Sequence, residues 1–147
     1  MKTLTIRQPW AALIMAGIKH HETRTWTTTY RGQLVIHAGM TWATDSPCRR
    51  QPPWSFVPDG RLRNALDHPG PAGPVFADQR GAILGEVTLT DVIETTDYAP
   101  TDLERLLGDY GPGLYAWVLK DPVAYPQTIP VKDRLGLWEW EPADPSR

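Results

Sequence analysis

Proline is the strongest constraint on this chain, with 15 in 147 residues, about twice the usual ~5% share. A proline disrupts a helix interior and is confined to the edges of a sheet, so the elements between prolines are short. Residues 2–6 alternate, with Leu4 and Ile6 on one face, as a half-buried strand does. Pro9 suits the first position of a helix, and Gly17 suits its left-handed C-terminal cap. Between them Trp10, Leu13 and Ile14, at i, i+3 and i+4, form the buried stripe of two helical turns. Residues 22–30 and 33–38 read as strands joined by a turn at Arg31 and Gly32.

Seven of the prolines (47, 52, 53, 58, 69, 71 and 74) fall between residues 40 and 80. Strong periodicity disappears there, apart from one short helix expected over 59–66 with Leu62 and Leu66 at i, i+4. This segment reads as a Pro-rich surface insertion in a single domain spanning 1–147; the sharper alternative is a lid over a site. Regularity returns at 82–94, a long, partly buried strand. Thr101 can cap a helix, with Glu104 three residues later closing a capping box. Strands at 114–119 and 137–140 follow, the second after a connection running from Pro126 to Pro130. About six strands with two or three short helices, strands dominating, predict an α+β fold with a twisted or barrel-like sheet.

Several chemistries are excluded at once. Cys48 is the only cysteine, so neither an intramolecular disulfide nor a thiolate metal site can form. His20 and His21 are adjacent rather than four apart, no phosphate-cradling Gly-rich loop occurs, and Ser46, Ser55 and Ser146 lie in no nucleophile elbow. The sequence therefore calls for no metal and no cofactor. The longest apolar stretch, 10–17, is far below the ~20 residues of a membrane span, and residues 1–3 begin no signal-peptide core. A cytoplasmic protein without a membrane partner is expected.

Charge is unevenly placed, although the chain as a whole carries −2. Residues 1–39 hold Lys2, Arg7, Lys19, Arg24 and Arg31 against Glu22 alone, whereas residues 85–115 hold seven acids against Arg105. A basic site near the first helix follows if the two regions face apart. Lys19, Glu22 and Arg24 stand where that helix feeds a strand, with Glu22 and Arg24 two apart on one face. Together they offer donors, an acceptor and a planar guanidinium, a set suited to a ligand with an anionic group and a polar ring edge. Trp10, Trp26 and Tyr30 interleave with these cations, as in single-strand binding, although Trp10 and Trp26 equally suit core packing. Tyr30 and Arg31, at a turn, are the better contact candidates, and His37 reads as a satisfied, partly buried histidine.

Residues 3–38 closely resemble the ASCH (activating signal cointegrator homology) family, whose signature G-x-K-x-x-E-x-R is met by Gly17, Lys19, Glu22 and Arg24. The runs 81–87, 115–119 and 130–138 are similar to the family's second half. The resemblance implies a PUA-like pseudo β-barrel, with a cleft beside the signature for RNA or a modified nucleoside. Carried over, Lys19, Glu22 and Arg24 line that cleft, with Arg7, Gln8 and Trp10 as neighbours. It also implies an alternative, an amidohydrolase that deacetylates N4-acetylcytidine. There a lysine at the place of Lys19 works with a threonine and a later acid. Glu22 stands at the threonine's place here, so Lys19 and Glu22 are the catalytic candidates, with Thr23 and Glu86 weaker ones. A protein-interaction module and a ribonuclease are the remaining family readings.

Overall fold

The computed structural model describes residues 1–42 and 79–143; the helix expected at 59–66, Cys48 and most of the 40–80 insertion lie outside the described residues. Six strands form one sheet: β1 (Lys2–Gln8), β2 (His21–Arg24), β3 (Gly32–Trp42), β4 (Ala82–Glu94), β5 (Tyr115–Pro130) and β6 (Leu137–Glu139). Their order is β2-β5-β4-β3-β1-β6, with β1 and β3 parallel and the other pairs antiparallel. Three register shifts between β4 and β5 add local twist, and the sheet curls into a half-barrel. Helix α1 (Trp10–Met15) packs on its concave side, and α2 (Asp102–Leu106) follows a single 3-10 turn at Thr95–Asp97. The fold is the α+β PUA-like barrel expected. Among the described residues no helix is long and apolar enough to cross a membrane.

The core lies between α1 and the sheet, where Leu4, Ile6, Ile14, Met15, Leu34 and Trp117 are almost completely buried. Gly85 makes this closeness possible. A Cβ there would overlap the Val123 carbonyl oxygen and lie 2.7 Å from the Met15 methyl and 2.8 Å from Ala124 Cα.

Three boundaries differ from the sequence reading, the first being β3, which runs past the expected residue 38 to Trp42. The strand expected over 22–30 ends at Arg24, because the next residues are held by packing rather than by a ladder. Trp26 meets Trp117 edge-on at 4.9 Å, and its carbonyl accepts from Trp117 Nε1 at 3.3 Å. Conversely, Pro126–Pro130 is no connection but the end of β5, with Ile129 paired to Ile83 and Pro130 to Ala82. β2 pairs with β5 only as far as Val118, so Pro122, Pro126 and Pro130 fall where one side of the strand is open and no ladder donor is missed.

Candidate nucleic-acid interface

The end of α1 places the signature. Gly17, at φ +75°, lets its N–H reach the Ile14 carbonyl (3.0 Å) and the Ile18 N–H reach that of Leu13 (3.1 Å), a Schellman closure. Ile18 packs with Leu13 and Leu107, the apolar contact that accompanies this motif. The Lys19 N–H joins the same Leu13 carbonyl at 3.1 Å, which turns the chain inward. Lys19 is consequently 2% exposed. Its Nζ donates to the Leu107 carbonyl at 2.5 Å and lies 5.4 Å from the Trp10 ring centroid. Gly108 leaves room for the ammonium: a Cβ there would stand 3.1 Å from Lys19 Nζ and 3.6 Å from Thr23 Oγ1. Burial lowers the Lys19 pKa, opposed by Glu22 and Glu104.

β2 then carries Glu22, Thr23 and Arg24 to the wall of a cleft of about 360 Å³, which Arg7, Trp10 and Arg134 also line. That volume falls within the range of small-molecule sites. Arg24 Nη2 donates to the Thr5 carbonyl (2.7 Å) and faces Glu22 Oε2 at 3.7 Å. Arg24 Nε is buried without an acceptor among the described residues. An unpaired buried donor costs about 1–3 kcal/mol, which a ligand oxygen would relieve.

The remaining sequence candidates lie elsewhere. Gln8 is fully buried; its Oε1 accepts from Ala12 N–H (3.0 Å) and its Nε2 donates to the Gln79 carbonyl (2.7 Å), so it anchors the start of α1. Tyr30 donates to the Gln33 carbonyl, and Arg31 binds the Thr28 and Tyr30 carbonyls and faces Asp91 at 3.6 Å. Both belong to the β2–β3 connection rather than to the cleft lining. Glu86 accepts from Gln33 Nε2 and Tyr125 OH, each at 2.7 Å, and also stands outside the cleft lining. His37 is fully buried in a relay: Trp138 Nε1 donates to Thr5 Oγ1 (3.1 Å), which lies 3.2 Å from His37 Nδ1. A carbonyl can only accept, so His37 Nε2–H donates to that of Val131 at 2.6 Å, and Nδ1 takes the Thr5 proton. Burial lowers the His37 pKa, in keeping with a neutral ring.

Two residues that sequence reasoning missed complete the site. Arg134 enters the cleft from the β5–β6 turn. Glu104, 4% exposed, takes the His20 N–H on Oε1 (2.6 Å), while Oε2 faces Tyr110 OH (3.3 Å) and His21 Nδ1 (3.5 Å). Burial pushes its carboxyl up, but the His21 ring, the His20 N–H and Lys19 outweigh this and hold it below the ordinary range. The capping-box reading contains half of this signal. Thr101 does accept from Glu104 N–H at 3.2 Å, but the Glu104 side chain turns inward to the signature. The acidic and basic regions of the sequence meet here.

A curled PUA-like half-barrel with a cleft lined by arginines and an indole defines the class of this protein. The chain belongs to the ASCH family: the ASCH domain model matches residues 4–143. It is similar to activating signal cointegrator 1 of Mus musculus (24% identity over 137 residues) and of Homo sapiens (26% over 139). Each match covers 92% of this chain but only 22% of the relative, so the chain spans about a fifth of those proteins.

Proposed function

We propose that the cleft binds RNA, seating one base of a single strand, modified or not, against Trp10. The observation that carries this reading is one concavity lined by three arginines, Arg7, Arg24 and Arg134, against two carboxylates, Glu22 and Asp133, together with the Trp10 indole. Arg7 and Arg134 suit phosphates; Glu22 accepts from an exocyclic amine such as cytosine N4, and Arg24 donates to a carbonyl beside it. Lys19, enclosed behind this wall, acts as a buried cation whose charge Glu22 and Glu104 favour. A short single-stranded RNA titrated at two salt concentrations tests this. Two phosphate contacts to a single strand give log K a slope of about −1.4 against log salt. Arg7→Ala and Arg134→Ala should each weaken binding and flatten that slope, and no binding at low salt would overturn the reading.

One observation favours a second reading, the N4-acetylcytidine amidohydrolase. Burial lowers the Lys19 pKa, and the Thr23 hydroxyl borders the same space at Gly108. A neutral lysine is a competent base or nucleophile. Cytidine release from N4-acetylcytidine, abolished in Lys19→Ala and in Glu22→Gln, would support it. Absence of turnover in the wild type alongside RNA binding would leave the cleft a binding site.

A further inference from the structure

A second concavity, about 540 Å³, adjoins the cleft and shares Asp133 and Arg134 with it; Trp138 and Trp140 lie in its lining. Its most telling residue is Trp140. Trp10, Trp26, Trp117 and Trp138 each have a ring, cation or hydrogen-bond partner. Among the described residues the Trp140 indole has none, and it belongs to neither apolar cluster of the core. Yet its backbone is pinned at both ends, since its N–H donates to the Met1 carbonyl (3.0 Å) and its own carbonyl accepts from the N-terminal ammonium (2.6 Å). A half-buried indole held in place but unpartnered is a stacking platform.

The charges around it fit a base better than a phosphate. Glu139 is neutralised by Lys2 (2.8 Å) and by the N-terminal ammonium (3.1 Å), which leaves Lys132 and Arg134 against Asp133 and Glu141. Arg134, common to both concavities, stands where a phosphate joining two nucleotides would pass. Beside it Leu135 is 98% exposed, an apolar edge at the boundary.

We infer that this concavity is a second nucleotide subsite, in which the base next to the one in the cleft stacks on Trp140 while Arg134 holds the linking phosphate. The inference rests on the reading of the cleft as an RNA site and makes the ligand a strand of at least two nucleotides rather than a free nucleoside.

Cytidine 5′-monophosphate and the cytidylate dimer and tetramer, titrated at one low salt concentration, test it. For the wild type, extension from one nucleotide to two should tighten binding roughly 5- to 150-fold, the range of one base–aromatic stack. Trp140→Ala should abolish that gain and leave monophosphate affinity unchanged, which also reports that the variant is folded. Trp140→Phe, which keeps a ring, should retain most of the gain. A gain undiminished in Trp140→Ala, or a wild type that binds monophosphate and dimer equally, overturns the subsite and leaves the cleft standing. A wild type that binds none of the three overturns the cleft reading, and the subsite with it.

Discussion

Glu104→Gln isolates the charge that links α2 to the signature. The substitution keeps the shape of the side chain while removing its charge and converting one oxygen into a donor. In the wild type Oε1 accepts the His20 N–H at 2.6 Å, and Oε2 faces Tyr110 OH at 3.3 Å and His21 Nδ1 at 3.5 Å. A hydrogen bond to a charged acceptor contributes about 1.5–3 kcal/mol against about 1 for a neutral one, so the weakened bonds account for about 1 kcal/mol. The new amide keeps its oxygen on the His20 N–H and places its donor opposite Tyr110 OH, which must turn its proton away and give up a bond that contributes about 0.5–1.5 kcal/mol. The expected loss is therefore about 1.5–2.5 kcal/mol, or a Tm lower by about 3–10 °C for a chain of this size. Urea melts at pH 7 measure it, and a cycle with Lys19→Met should return a coupling on the order of 0.5–3 kcal/mol. The pH dependence is the sharper readout. The folded carboxyl titrates below its ordinary 4.5, so its contribution is complete above that value and is lost as pH falls through the folded pKa. The gap between wild type and variant should shrink accordingly below pH 4.5. A variant within about 0.5 kcal/mol of wild type at pH 7, the range of a neutral surface change, would mean that the Glu104 charge does not hold α2 to the signature. So would a gap that stays constant into strong acid.

Three further outcomes are expected. His37 is held neutral, so as pH drops below 6.5 the unfolded chain takes up a proton that the folded ring refuses, and stability falls; His37→Gln should flatten that part of the stability–pH curve. Gly85→Ala forces a methyl against the fixed Val123 carbonyl and Ala124 Cα, and its urea midpoint should register a loss of about 2–3 kcal/mol. Thr101→Ala removes the cap on Glu104 N–H and should cost about 1 kcal/mol in the same melt, with part of the Glu104→Gln effect if α2 shifts.

Elements whose signals are local are legible in the order of residues alone. Pro9 and Gly17 bracket α1 because a fixed φ and a left-handed cap act within one turn, and the observed helix with its +75° glycine lies between them. The 82–94 strand matches β4 in full, because its run of apolar residues suits no other buried element of that length. Thr101 caps α2 for the same local reason. What depended on neighbours was decided only by the tertiary structure. Whether Pro126 ends a strand depends on whether a partner lies beside it, and β2 stops short of that point. Gln8, four residues from Ala12, was indistinguishable in the sequence from a ligand contact until the helix folded over it. Glu104 lies 84 residues from His20, and no spacing rule reaches so far. Only the curl of the sheet, which carries α2 back over the end of α1, places a buried carboxylate beside a buried lysine.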